Sequence, residues 1–313
     1  MVKTIRIATS GVAEDYRQSL VPLIIQSLGY RIKWTPAGNA DLVVFGPFFK
    51  PGQELRWVPR PLRPAVQAWN RRIQSEHRPL TLFQTAENLR HDHIPCDYSL
   101  SFDLAVNSPK HCRFPYWMEM VDWRHEGITG NQNQRFGKLL DVDRLTQPLG
   151  NRFLQKQRRA AIFASHLREP RATLFKAVRQ HIPIEGFGPV FNSAINHHSK
   201  SNFTKLEVLE GFAFNLCPEN SMYPGYYTEK IPEAFMADCL PLAWSDNNVA
   251  IDFNPEAILN LAPMTLNEFC ELPAALGDQS KLENHADHPL LVKVPTLHPV
   301  TKFLKSIVAE ACS

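Results

Sequence analysis

The stretch from Phe212 to Trp244 constrains this chain more than any other. An apolar run, Phe212 to Leu216, leads into an acid–amide pair, Glu219-Asn220. A loop with Gly225 and two tyrosines follows, then Thr228-Glu229-Lys230 at the head of a predicted helix, then a second apolar run from Leu240 to Trp244. Strand, polar loop, helix start and strand make one βαβ-like unit. Its polar groups gather where a nucleotide diphosphate would sit, because helix N-termini carry free N–H groups and the positive end of the dipole.

The same alternation runs through the rest of the chain. Residues 3–9, 41–45, 80–85 and 98–104 read as strands, with a helix over 16–28 closed by Gly29 and a further helix over 65–75. From about Asp122 to Leu154 the pattern dissolves into a loop or linker rich in Gly, Asn and Gln. It resumes with strand 160–165, helix 170–180, strand 182–185 and Gly186-Phe187-Gly188. A polar stretch, 192–202, precedes the Phe212–Trp244 unit; strand 258–261 and helix 266–276 follow it, and a terminal helix spans 300–311. Alternating strands and helices predict an α/β fold with largely parallel sheets. The expected division is 1–150, 151–296 and a C-terminal helical piece, 297–313, packing back on the first domain.

The chain has 313 residues, enough for two ordinary domains, and a net charge of +3, too small to argue for nucleic acid. The basic clusters Arg158-Arg159 and Arg168–Arg171 lie among acids and lack an aromatic platform. No run of 18 apolar residues is present, so no transmembrane helix is expected. MVKTIRIATSG reads as a first strand, not a signal peptide. The six cysteines form no C-x-x-C pair and read as reduced structural thiols.

The spelling of the central unit resembles the donor-binding signature of the α-1,3/1,4-fucosyltransferases, glycosyltransferase family ten. That signature runs F-x-L-x-F-E-N-[ST], a short loop, Y-x-T-E-K-[IL], then A and P-[IV]-x-x-[GW]. Phe214, Leu216, Glu219, Asn220, Ser221, Tyr226, Thr228, Glu229, Lys230, Ile231, Ala234 and Pro241 match it in order. Pro218, Pro232 and Ser245 depart from it. A second segment, FQTAEN at Phe83–Asn88, resembles the F-x-T-G-E-N of bacterial relatives, and Asp97-Tyr98 with Phe102-Asp103 resembles the family's C-D-Y-x-x-x-F-D. The resemblance implies a GT-B glycosyltransferase, two Rossmann-like domains facing a central cleft, with the acceptor on the N-terminal domain and the donor on the C-terminal one.

The resemblance also implies roles. Lys230 and Arg171 would meet the diphosphate, a lysine as a point charge and a guanidinium bidentately. Arg168 is the rival to Arg171, and a solvated helix start is the plain alternative for both. Glu229 would hold the ribose hydroxyls, or merely complement the helix dipole. Tyr226 and Asn220 would contact the donor. Glu219 would face the positive charge developing on the sugar, or else only order its loop. Gly186 would let the backbone approach the nucleotide, although a plain turn reads equally well. Glu87 is the candidate general base, with His91, Asp92 and His93 as rivals. His91 and His93, on an extended strand, would share a face, but lack a third ligand for metal; an acceptor-side loop is the simpler reading. No required metal or other cofactor is expected, with a divalent ion at most stimulatory.

The expected activity is inverting transfer of L-fucose from GDP-fucose to GlcNAc O3 or O4 of an oligosaccharide or lipopolysaccharide glycan. The alternatives are another nucleotide sugar on the same scaffold, or a non-catalytic glycan- or nucleotide-binding relative. Expected partners are GDP-fucose and an oligosaccharide acceptor, in a cytoplasmic bacterial-type protein compatible with peripheral association at the inner membrane face.

Overall fold

A computed structural model describes residues 2–50, 78–191, 203–262 and 272–313. The expected helix 65–75, the polar stretch 192–202 and the first part of helix 266–276 lie outside the described residues. The chain divides into two compact units. One comprises Met1–Phe114, Trp123–Asn131 and Thr296–Ser313; the other comprises Pro115–Asp122 and Gln132–Pro295.

The first unit is built on β1 (Lys3–Ser10), β2 (Tyr30–Trp34), β3 (Leu42–Phe45), β4 (Leu80–Gln84), β5 (Tyr98–Ser101) and β6 (His111–Arg113), all parallel, in the order β2-β1-β3-β4-β5-β6. Ile5, Ile7, Leu42, Leu82, Phe83 and Leu100 fill its core. The sequence reading misses β2 and β6, and these are the sheet's two edges. Strand β2 is half polar, with Arg31 and Lys33 exposed, as an edge protected from further pairing requires.

The single helix expected over 16–28 is broken. A 3₁₀ turn, Tyr16–Gln18, gives way to extended Ser19, and the α-helix starts afresh at Leu20. Pro22 is the third residue of that helix, where its missing N–H would have had no intrahelical partner, so the helix begins just ahead of it. The terminal helix, His298–Ala311, packs on helix Leu20–Ser27 and β6, and Tyr98 Oη donates to Glu310 at 2.5 Å.

The second unit carries β7 (Ala160–Phe163), β8 (Ile184–Phe187), β9 (Phe214–Pro218), β10 (Leu240–Trp244) and β11 (Leu259–Asn260), parallel in the order β11-β10-β9-β7-β8. Every residue of β9 is buried, as expected for a central strand covered on both faces. Residues 132–150, read from sequence with the first half, pack in this unit: Asn133 bonds Glu233, and Leu291 N donates to Leu145 O. The expected loop there contains two helical turns, Val142–Leu145 and Asn151–Leu154. A further helix, Gln279–Ala286, capped by Asp278, occupies a segment read as merely polar.

The terminal helix presents Leu304 and Ile307 at 0% exposure. Leu304→Ala or Ile307→Ala should cost about 2–5 kcal/mol by leaving a cavity, whereas exposed Lys302→Ala should stay within about 0.5 kcal/mol. Urea denaturation followed by circular dichroism separates the two outcomes.

Candidate functional site

In an open parallel sheet, ligands favour the carboxyl ends of strands where the strand order reverses. In the second unit that reversal lies between β7 and β9, since β8 flanks β7 on one side and β9 on the other. The residues that follow these two strands include His166, Glu219 and Asn220.

Glu219 is buried, and both of its carboxylate oxygens are engaged. Oε1 accepts from Thr228 N at 2.9 Å and from Thr228 Oγ1 at 2.7 Å, while Oε2 forms an ion pair with Lys230 Nζ. Lys230 Nζ also donates to Thr228 Oγ1 at 2.8 Å. Of the ammonium's three N–H groups, two are thus directed inward and one is left for a ligand. Burial works against the Lys230 charge, but Glu219 and Glu229, with the hydrogen bond to Glu219, outweigh it and hold the pKa above the ordinary lysine value.

Asn220, next in sequence, holds the second cation. Its Oδ1 accepts from Arg171 Nη2. Arg171 is the first residue of helix Arg171–Arg179 and is buried; its Nη1 contacts the His166 ring at 3.2 Å and the His166 carbonyl at 3.5 Å. Burial, then Arg171 and Arg168, lower the His166 pKa, so the imidazole beside Arg171 is neutral at neutral pH. Among the described residues, no carboxylate lies within ion-pair distance of Arg171. Arg168, its rival, is exposed; its backbone N–H donates to the His166 ring and its carbonyl accepts from Arg171 N.

Glu229 precedes helix Lys230–Met236 and is half-buried. Burial pushes its carboxyl up, but Lys230, Lys205 and Arg135 together overcome this and bring it from 4.5 down to about 2. The helix has seven residues, so charged side chains rather than its dipole carry the electrostatics. Tyr226 is buried close to Arg171, and burial lowers the Arg171 pKa against the opposing influence of Glu219 and Tyr226. Tyr227, given no role by the sequence reading, is buried with its hydroxyl on Asp246.

Two of the expected site residues also have structural roles. Glu219, a catalytic candidate by sequence with loop ordering as its alternative, has both oxygens bonded inside the protein, one to Thr228 and one to Lys230. Gly186 is glycine because a Cβ there would come within 2.4 Å of the Phe191 ring, so packing accounts for the missing side chain. The three departures from the signature are absorbed. Pro232 is the third residue of its helix, where no N–H bond is lost; Pro218 ends its strand; Ser245 has no positive φ, and its backbone is held by Asn260 on both sides, at 3.1 and 2.8 Å.

In the first unit, Glu87 lies three residues beyond β4, half-buried, in a turn closed by Thr85: Glu87 N donates to Thr85 Oγ1, which donates back to Glu87 O, both at 3.0 Å. Among the described residues, its carboxylate has no hydrogen-bond or ion-pair partner. The following loop is anchored to buried Asp103, which accepts from His91 N at 2.8 Å and Ser101 Oγ at 2.6 Å. His91 and His93 do not share a strand face: His91 packs on His111 and His93 on Phe83, with ring centroids at 5.2 and 6.1 Å. The segment is a loop, so the alternation that would have paired them is absent. Among the described residues, no group of three His, Cys, Asp or Glu side chains is placed to hold a metal ion.

The fold and this site define a two-unit α/β protein with Arg171 and Lys230 gathered at the strand ends of its second unit. Its fold matches a crystal structure of α1,3-fucosyltransferase at a TM-score of 0.69 and 22% identity, over 99% of this chain and 90% of that one. It also matches a crystal structure of α1,3-fucosyltransferase with GDP-fucose at a TM-score of 0.65 and 20% identity, over 98% of this chain and 91% of that one. The GT-B expectation is thus met by whole-chain fold similarity and by two parallel-stranded α/β units. Residues 153–272 match the model of glycosyltransferase family 10 (fucosyltransferase), C-terminal part, and residues 69–120 match that of the alpha-(1,3)-fucosyltransferase FucT N-terminal domain. The resemblance read from the sequence is thus borne out over residues 153–272 and 69–120, which match models of fucosyltransferase domains. It is 27% identical over 215 residues to alpha-(1,3)-fucosyltransferase FucT of Helicobacter pylori, a match spanning 61% of this chain and 42% of that protein. Among the described residues, no helix is long and apolar enough to cross a membrane.

The depressed pKa of Glu229 has a consequence for acid stability. An unfolded glutamate titrates near ~4.3, so the preference of the folded state for the ionised form contributes fully above that pH and is lost as pH falls towards about 2. The thermal midpoint of the wild type should therefore fall more steeply than that of Glu229→Gln between roughly pH 5 and 2. Parallel slopes in calorimetric scans would contradict this.

Proposed function

We propose that this protein transfers L-fucose from GDP-fucose to a hydroxyl of an oligosaccharide or lipopolysaccharide glycan, GlcNAc O3 or O4, with inversion at the sugar carbon. The observation that carries the reading is Arg171, a buried guanidinium whose hydrogen-bond partners among the described residues are neutral. A buried charge is retained when something compensates it, and an anionic ligand does so here. Lys230, with a donor to spare, supplies a second charge on the other side of the Glu219-Asn220 pair. The crystal structure with GDP-fucose among the fold matches supports the choice of nucleotide.

In this reading Arg171 and Lys230 neutralise the charge that grows on the departing GDP. Glu229 accepts from the ribose hydroxyls, Tyr226 and Asn220 border the donor, and the backbone at Gly186 flanks the nucleotide. Glu87 takes the proton of the acceptor hydroxyl as its oxygen bonds to the fucose carbon and the bond to GDP breaks. Side-chain cations do the work at the diphosphate, so a divalent metal is at most stimulatory. The protein works at the cytoplasmic side, on a glycan carried at the inner membrane face.

A second reading, another nucleotide sugar, rests on Ser245. Its Oγ is buried without a partner among the described residues, just beyond the Trp244–Pro218 register pair and so level with Glu219. Titration calorimetry with GDP, UDP and CDP decides between them: selective GDP binding supports fucose transfer, and preference for another nucleotide sinks it. Arg171→Ala and Lys230→Ala should each weaken GDP binding by about 10- to 100-fold, the worth of a hydrogen bond to a charged group. Glu87→Gln should leave GDP affinity intact and slow transfer by about 10²- to 10⁴-fold. Near-normal turnover in Glu87→Gln would remove the base from that residue.

A further inference from the structure

Behind the candidate donor site lies a buried ion pair that the transfer reaction does not explain. Lys205 Nζ donates to Glu233 Oε2 at 2.7 Å, with the two side chains 3% and 1% exposed. Asn133 Nδ2 donates to the other oxygen, Glu233 Oε1, at 2.8 Å. The Lys205 ammonium also lies over the Phe163 ring, 5.3 Å from its centroid. A buried ion pair is weak evidence for stability, because a matched apolar pair of similar volume is often as good. Its retention points to a different task.

The placement of its members identifies that task. Glu233 stands one helical turn after Glu229, and its N–H donates to the Glu229 carbonyl at 2.9 Å. Holding the Glu233 carboxylate therefore holds the turn that starts at Glu229 and Lys230. The holders are themselves anchored. Lys205 opens helix Lys205–Leu209 behind a capping box, in which Thr204 Oγ1 accepts from Glu207 N and Glu207 accepts from Thr204 N. Lys205 N donates to Arg135 O at 3.1 Å, and Asn133 Oδ1 accepts from Phe136 N at 3.2 Å. Gly137 packs so closely on Thr204 that a Cβ would meet it at 2.6 Å.

We propose that Lys205 is a positioning residue for nucleotide binding: through its buried pair with Glu233 it fixes the helical turn that presents Glu229, and its charge keeps that carboxylate ready to accept from a ligand's hydroxyls. The groups acting on Glu229 agree with this. Lys230, then Lys205 and Arg135, favour its ionised form against burial. The inference rests on the reading of Glu229 as a contact to the nucleotide.

A double-mutant cycle tests it, with GDP as the probe and calorimetry as the readout. If the wild type does not bind GDP, the donor-site reading itself has failed, and the inference falls with it. If it binds, Lys205→Met should weaken GDP by at least about tenfold, one charged contact's worth. On a Glu229→Gln background the same change should cost less by about threefold or more, because the contact that Lys205 readies is gone and only the placement of Lys230 is left to lose. An equal loss on both backgrounds, or no loss on either, would overturn the inference. Should Lys205→Met fail to fold, the neutral pair Lys205→Met with Glu233→Gln, which strands no buried charge, takes its place in the cycle under the same criteria.

Discussion

Two adjacent residues, Glu219 and Asn220, hold one cation each, and the site depends on that division. The carboxylate of Glu219 takes Lys230, eleven positions further on, through one oxygen, and Thr228 through the other, so the loop between them is closed. The amide of Asn220 takes Arg171 from a different segment. Two positive charges this close would repel if they were free. Here one is matched by a carboxylate and the other is only oriented by an amide, so the pair retains a net positive character without losing its geometry. An acid at both positions would cancel the site, and an amide at both would leave Lys230 without its counter-charge.

The strand that delivers this pair is the most enclosed of its sheet. Each residue of β9 is buried, and Cys217, between its apolar neighbours, donates its thiol to the Lys230 carbonyl at 3.3 Å. Burial drives the thiol pKa upward, so it remains a neutral hydrogen-bond donor within the core. The backbone that positions Glu219 is thus tied to the backbone that positions Lys230 by a second link, independent of the ion pair. Rigid support of this kind is what a site needs if its charges are to be in place before the ligand arrives.

Much of this was legible in the sequence, and the reasons differ by element. Central strands such as β7, β9 and β10 are almost entirely apolar runs, which one-dimensional patterning detects readily. Edge strands β2 and β6 are mixed in composition because only one of their sides is paired, and patterning passes over them. The Glu219, Arg171 and Lys230 cluster was reached through the resemblance in its spelling, and only the structure shows that Glu219 is spent internally. Lys205, Glu233 and His166 had no such signal. A lysine at a helix start looks solvated in sequence, and only its capping box, Thr204 to Glu207, hinted at where that helix began. Burial of a charge is a property of tertiary packing, which no local pattern encodes.

The two sheets repeat one topology, yet their reversal points are not equivalent. In the first unit, reversal lies between β1 and β3, and there the chain folds onto itself: Gly46 N donates to Ser10 O, and Phe48 N to Gly11 O, both at 2.9 Å. A Cβ on Gly11 would fall 2.0 Å from Phe49 N, and one on Gly46 would fall 2.3 Å from Gly11 O. The crevice is therefore plugged by main chain, not by side chains. Trimming a bulky residue can open a pocket lined by side chains, but it cannot displace a peptide bond. The crevice of this half is closed to point mutation, and only a rerouted main chain over residues 46–49 would open it.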